Sequence, residues 1–500
     1  PRARCPNGRR PNRVERIRVP RVANGAGQRA PCHRTLEQQQ PTAVVVGAGI
    51  AGIASAIRWA RKGYAVQVFE ANSYPGGKLS EFQLGEYRFD AGPSLFTLPF
   101  LVDELFTLCG ENPRDHFNYL KKTEECRYFW DDGTRLIAHS DPSAFAEEAQ
   151  RVLGEPAANI IDQLTLAKRQ YEATKGLFLE RSLHQASTYL RLEALPALAA
   201  LPSLKLTQTM HGVHAKRFRT PKAIQIFDRF ATYNGSSPYQ APGTLSMIPH
   251  LEFGFGTFVP YGGMVAITNS LVALAQRQGV VIHYGKGVER IRVEGRRATG
   301  LVVQGADVLA DVVISNMDVT PTYRRLMPDL PAPEKTLAQE RSSSAFIFYW
   351  GLRREFPELD LHNILFANDY EAEFRDLFER KVLHDDPTVY LHITSKDLEG
   401  EAPAGGENWF VMINAPANYG QDWLALRAQA RSAILAKIQR ALGVDIEPFI
   451  EVEDHLDPPT IEARTGSDRG ALYGSSSNKP MAAFLRHPNR HRRIDNLYFV

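Results

Sequence analysis

The residues best suited to chemistry lie between Gly47 and Ser94. Gly47-Ala48-Gly49-Ile50-Ala51-Gly52 has the spacing G-x-G-x-x-G. Glycine at position 47 permits a tight turn, at 49 it lets backbone approach a pyrophosphate, and at 52 it lets a helix lie close on a strand. Ile50 and Ala51 lie in the turn that leads into a helix, whose free N–H groups and positive dipole end favour phosphate. Glu70 follows Gly52 at the distance where a carboxylate accepts from ribose hydroxyls, and its charge argues against a 2′-phosphorylated ribose. Past Glu70 and Ala71, the pair Gly76-Gly77 brings backbone close to an extended cofactor. Lys78 neutralises phosphate or sits near a redox ring, and Gly92-Pro93-Ser94 are able to line the same ligand.

Such chemistry needs a strand–turn–helix–strand unit, and the pattern provides one. Ala43–Val46 is a short β-branched run, Gly47–Gly52 a turn, Ile53–Lys62 apolar at helical spacing with Gly63 as its stop, and Ala65–Phe69 a second strand. Farther along, Tyr128–Trp130 and Thr134–Ile137 flank Asp132-Gly133 as a hairpin. Val265–Gln278 and Asp422–Leu442 read as helices. Strands are expected at 280–284, 288–293, 299–303, 311–315, 345–351, 388–394 and 409–414. Residues 100–230 are otherwise mostly helical.

The order of acid, Pro75-Gly-Gly-Lys78 and Phe89-Asp-Ala-Gly-Pro-Ser94 resembles flavin amine oxidase-like proteins. Arg229–Pro242, Phe258–Met264, Val313–Asp318 and Met481–Arg486 are similar to motifs of bacterial-type phytoene desaturases and related carotenoid desaturases. The resemblance runs from about Thr42 to Val500. It implies an α/β fold, a Rossmann-like FAD-binding domain with an inserted α+β substrate domain that contains a mixed sheet. The implied organisation is a basic tail at 1–41, FAD-binding segments at 42–98, 261–330 and 461–500, and substrate segments at 99–260 and 331–460. FAD is the implied cofactor, and Val288 joins the residues above as a cofactor contact. The implied substrate is an apolar C40 carotenoid, phytoene or a later acyclic intermediate, with a hydroxycarotenoid 3,4-desaturase as the alternative. A flavin amine oxidase, or a non-enzymatic binder of prenylated GTPases, stays open behind these. Members of the family continue past a strand like Asn496–Val500 into a Gly-rich flavin-contacting segment, so the sequence is expected to be a fragment.

Desaturation removes a hydride to the flavin and a proton elsewhere. No base is identified; His250 and Glu252 are the nearest candidates. From Phe230 to Gln276 only Glu252 carries a formal charge, among seven aromatic residues, so this stretch is expected to wall an apolar tunnel. Leu192–Leu206, flanked by Arg181, Arg191, Lys205, Lys216, Arg217 and Arg219, suits a peripheral membrane contact at a cytoplasmic face. No metal is signalled. His211 and His214 are expected at the surface or an interface, and Cys109 and Cys126 as buried thiols.

Composition agrees with a globular protein. Hydrophobic residues are 43% and charged residues 23%, which excludes whole-chain disorder. Residues 1–40 hold ten Arg against Glu15 and Glu37, whereas the other 460 carry 49 basic and 54 acidic side chains. The net charge of +3 therefore belongs to the tail, and the body offers no nucleic-acid footprint. Four cysteines without a C-x-x-C pair argue against a disulfide framework or a zinc site.

Overall fold

The computed structural model describes residues 40–178, 180–189, 201–479 and 482–500. The basic tail through residue 39, Arg191, the 192–200 part of the apolar stretch, and Met481 lie outside the described residues.

Thr42–Val46 is the middle of a five-stranded sheet with the order Leu497–Phe499, Val312–Ser315, Thr42–Val46, Ala65–Phe69 and Val281–His283. All four pairings are parallel. Parallel strands are covered on both faces, which explains the unbroken apolar runs. Ala43 and Val45 pack with Ile53 and Ile57 of helix Ile50–Arg61 and Leu271 of helix Val265–Arg277. Val44 and Val46 point the other way, onto Ile291 and Leu301 of an antiparallel three-stranded sheet, Val288–Glu294, Arg297–Val303 and Ala306–Leu309. Three layers result.

The first helix begins at Ile50, three residues before the apolar spacing suggests. Glycine at position 52 is a poor helix former in isolation, yet it sits in the first turn because nothing larger fits beneath it. Gly63 lies just past the helix end with φ +88°, a left-handed geometry suited to glycine.

A seven-stranded mixed sheet forms the second body, in the order Ile450–Leu456, Ser344–Leu352, Glu407–Ala415, Val389–Ile393, His362–Leu365, Glu124–Phe129 and Arg135–His139. Only His362–Leu365 and Glu124–Phe129 run parallel. Strand alternation sorts its faces. Phe346, Phe348 and Trp350 pack with Ile434 and Ile438 of helix Trp423–Leu442. Ile347 and Tyr349 face Tyr87 and Phe89. Helices Pro142–Leu153, Met210–Arg217 and Pro221–Asp228 close over the 124–139 hairpin.

His211 and His214 are not surface groups as a pair. Both Nδ1 atoms hydrogen-bond to Asp228, at 2.6 and 2.7 Å, and His214 and Asp228 are fully buried. The shared carboxylate fastens two short helices, a role that i, i+3 spacing alone does not disclose.

Arg88 joins the two sheets. Its guanidinium meets Asp90 and Glu401 at 2.8 Å each, and its carbonyl accepts from Asn408 Nδ2 at 2.7 Å. Asp90 also accepts from the backbone of Met264, the residue that opens helix Val265–Arg277, at 3.1 Å. Removing one partner of a buried charge set leaves the rest uncompensated. Arg88→Met is expected to lower the unfolding free energy by roughly 3–5 kcal/mol, read from the urea midpoint.

Candidate active site

The glycine turn is held where Gly47 N donates to Phe69 O at 2.8 Å. A Cβ at Gly52 would lie 2.3 Å from Gly47 O, and one at Gly49 would lie 2.5 Å from Asn316 Nδ2. Gly76 bridges Gly49 and donates to Ala48 O at 2.8 Å. Gly76 has φ +97°, and its Cβ would strike Leu79 O at 2.2 Å; a Cβ at Gly92 would meet Lys78 O at 2.0 Å. Three stretches of chain that sequence reasoning lists separately therefore touch, backbone to backbone. Gly77 comes within 3.5 Å of Gly49 Cα by the same measure.

Glu70, 6% exposed, accepts from Ala48 N at 2.7 Å and Asn72 N at 2.8 Å, one bond to each oxygen. Each oxygen keeps a further lone pair. The leading N–H groups of the helix, at Ile50, Ala51 and Gly52, have no intrahelical acceptor, and Ala51 is exposed. Ala71 is exposed beside Glu70, whereas Val288 is partly buried and packs against the core cluster that holds Val44 and Phe69. Asn316 escaped the sequence reading as a site residue. Its signal was its place just past Val312–Ser315, the parallel neighbour of the first strand. An anion-binding helix end beside a carboxylate with spare acceptor capacity fits a dinucleotide's pyrophosphate and ribose.

A cavity of about 440 Å³ separates this cradle from the seven-stranded sheet. Gly77, Lys78 and Ala91–Ser94 line one side, and Ile347, Ile364, Tyr390, Phe410 and Met412 the other. Lys78 Nζ donates to Leu472 O at 2.8 Å, and burial lowers its pKa. The aromatic stretch does not form the wall as expected. Of residues 230–276 only Thr232, Tyr233 and Glu252 reach the lining. Phe230 and Phe253 fill the core over the hairpin, Phe258 packs at the other core, and Tyr261 is exposed. The sheet supplies the apolar wall because its strands alternate and hide their other face under helix Trp423–Leu442.

One end of the cavity is polar. Arg229 donates to Glu252 at 2.7 Å and to the Tyr128 hydroxyl at 2.8 Å. Tyr233 donates to the other Glu252 oxygen. Glu252 thus accepts one bond on each oxygen from within the protein and is held in place by both. His250 lies between the rings of Tyr171 and Phe255, off the lining. Cys126 lines the cavity as a buried free thiol whose pKa is raised by burial; Cys109 is only half-buried. Among the described residues no cluster of three or more His, Cys, Asp or Glu could hold a metal.

Glu125 takes a bond from the Thr257 hydroxyl on one oxygen. Burial, reinforced by Glu252, pushes its pKa up from 4.5 to about 8, against the pull of Thr257, Lys121 and Arg229. The folded state then holds a proton that the unfolded chain releases. Stability from this group is full below pH 4.5 and is lost as pH rises through about 8. Glu125→Gln is expected to flatten that part of the stability–pH curve, by a few kcal/mol across the window, measured as urea midpoints between those limits.

Residues 50–454 match the family described as flavin containing amine oxidoreductase. The chain is 52% identical over 458 residues to a 1-hydroxycarotenoid 3,4-desaturase of Flavobacterium sp. (strain P99-3), covering 92% of this chain and 93% of that protein. It is 32% identical to a 4,4'-diaponeurosporene oxygenase of Staphylococcus aureus (strain USA300), covering 91% and 92%. Among solved structures, a putrescine oxidase variant superposes with TM-score 0.60 at 16% identity over 92% of each chain. An oxidoreductase from Methanosarcina mazei superposes with TM-score 0.58 at 14% identity over 92% and 94%. The structural likenesses carry the fold: a Rossmann-like FAD-binding body joined to a mixed-sheet body. With the cradle and its apolar cavity, these relationships make the chain an FAD-dependent oxidoreductase of the flavin amine oxidase superfamily, in its carotenoid desaturase family.

Proposed function

We propose that the chain desaturates an acyclic carotenoid whose end group carries a 1-hydroxyl, at the 3,4 bond. The observation that carries this reading is an apolar cavity that runs from the dinucleotide cradle to a buried polar end. The relative at 52% identity bears the matching name. In this reading the N–H groups of Ile50, Ala51 and Gly52, with Gly47 and Gly49, hold the pyrophosphate, and Glu70 and Ala71 hold the ribose. Val288, partly buried against the neighbouring core, follows Gly287, whose Cβ would lie 3.7 Å from Ala71, and is taken as a contact at that end. Gly77, Lys78, Gly92, Pro93 and Ser94 line the cavity where the ring would lie, and Gly76 brings that segment onto the glycine turn. When bound, FAD supplies the two-electron acceptor for the departing hydride.

The chain's own part is to position and to dry. The walls at Ile347, Ile364, Phe410 and Met412 offer no hydrogen bonds, so an extended polyene is held by apolar contact and water is kept from the reacting carbons. Such a wall fits a polyene better than an amine. Phytoene is the second substrate to test, since the same wall accepts it.

Carotenoids reside in bilayers, so delivery calls for a membrane surface. Phe100 and Leu101, 44% and 50% exposed at the start of helix Phe100–Leu108, and Leu206, 42% exposed, support a peripheral contact, which we place at the cytoplasmic face. No helix among the described residues is long and apolar enough to cross a membrane.

The direct test presents FAD-loaded protein, without oxygen, with liposomes containing a 1-hydroxylated acyclic carotenoid or phytoene. The flavin band near about 450 nm should bleach with the former, and the product should be two hydrogens lighter with longer-wavelength absorption. A product heavier by one oxygen, formed in air, would replace desaturation by oxygenation, and no bleaching with either carotenoid would overturn the reading. Glu70→Ala is expected to weaken FAD binding by roughly tenfold to a hundredfold, read by flavin retained on dialysis, since it removes the acceptor and frees two backbone N–H groups.

A further inference from the structure

We propose that Glu125 and His362 form the subsite that reads a hydroxyl on the substrate's end group. The inference rests on the carotenoid reading above and adds to it the residues that would select a hydroxylated substrate over one lacking the group.

Among the described residues, several buried polar side-chain atoms have no hydrogen-bond partner within the protein, and two of them belong to residues on the cavity lining: Glu125 Oε1 and His362 Nε2. Glu125 is 1% exposed and His362 3%. Buried polar groups are almost always paired, because leaving one bare forfeits its hydration without return. The nearest cations are engaged elsewhere in part or in full: Arg229 donates to Glu252 and Tyr128, and Lys122 to Asp360 and Asp397.

Local structure aims both groups. Glu124 pairs with His139 and Cys126 with Ala138, so Glu125 is the extra residue of a β-bulge. A bulge re-aims a side chain, and here Glu125 and Cys126 both reach the cavity instead of alternating. His362 begins the strand that runs parallel to this one. Its Nδ1 meets the Tyr390 hydroxyl at 2.8 Å, which meets Ser94 Oγ at 3.0 Å. That chain fixes the ring two hydrogen bonds from the cradle and leaves Nε2 without a partner; Nε2 and Glu125 Oε1 are themselves covered, so a ligand hydroxyl meets them when the side chains turn toward the cavity.

A hydroxyl donates and accepts, so it satisfies a carboxyl in either protonation state and an imidazole nitrogen in either tautomer. A methyl group satisfies neither. Position agrees as well. An oxygen on C1 is three bonds from C3, or about 4 Å at ordinary bond lengths, so the group that reads it must lie close to the cradle. His362 does, through Tyr390 and Ser94. The charged and titratable groups around the pair are Glu252, Lys121 and Arg229 for Glu125, and His392, Lys122 and Arg229 for His362.

The test uses FAD-loaded protein and two carotenoids with the same polyene, one with the 1-hydroxyl and one without. Kd is read by quenching of tryptophan fluorescence, and kcat/KM by product absorption. Wild type should favour the hydroxylated compound. Glu125→Met and His362→Phe should each collapse that ratio by roughly tenfold to a hundredfold, while Glu125→Gln, which keeps polar atoms in place, should retain most of it. Flavin content and melting temperature establish that each variant is folded, and the two sites test the idea independently if one variant is not. A wild-type ratio near one, or an unchanged ratio in the Met and Phe variants, would overturn the subsite while leaving the carotenoid reading intact. Loss in equal proportion on both compounds would make these residues structural or proton-handling groups and also overturn it. Binding of neither compound would instead bring down the carotenoid reading itself.

Discussion

Close approach of bare backbone is the constraint from which the site follows. The turn at Gly47–Gly52, the pair Gly76-Gly77 and Gly92 meet with no side chain between them, and a methyl group at Gly52, Gly76 or Gly92 would overlap a carbonyl oxygen at 2.0–2.3 Å. Their contact puts a helix end, a buried carboxylate and the Ala91–Ser94 segment on one surface. Asn316 closes over the same turn from the neighbouring strand. Every later property of the cavity depends on this surface being in place on one side of it.

The opposite side is a matter of strand alternation. The seven-stranded sheet buries one set of aromatics under a 20-residue helix and turns the other set toward the cradle. The Arg88 cluster holds the two sides together: it ties the hairpin leading into Ala91–Ser94 both to the long helix at Val265 and to the Glu407–Ala415 strand. A charge network in so apolar a setting stabilises little in itself. Its effect is to fix the distance across which a ligand must reach from cofactor to sheet.

Polar groups in the cavity fall into two kinds. Arg229, Glu252, Tyr128 and Tyr233 are bonded to one another and hold one another in place. Glu125 and His362, both on the lining, are held by Thr257 and Tyr390 and have one buried atom each without a partner within the protein. The contrast separates scaffolding charge from groups with capacity for a ligand.

Much of the cradle was legible in the chain itself, because its requirements are local. A turn that only glycine can make, a helix that starts on it and a strand that ends in an acid must be close in sequence to be close in space. The parallel sheet was legible for a similar reason: strands covered on both faces have to be apolar throughout. What lines the cavity was not local. A charge-poor aromatic run reads the same whether it walls a tunnel or fills a core, and the fold put Phe230 and Phe253 in the core. Only packing gave His214 its buried partner and showed that Glu252 was already bonded. The aim of Glu125 was set by a bulge between strands, and that of His362 by a tyrosine 28 residues away and a serine from the cradle. Sequence determines which backbone can approach backbone; where a side chain points once sheets have paired depends on register and on partners far along the chain.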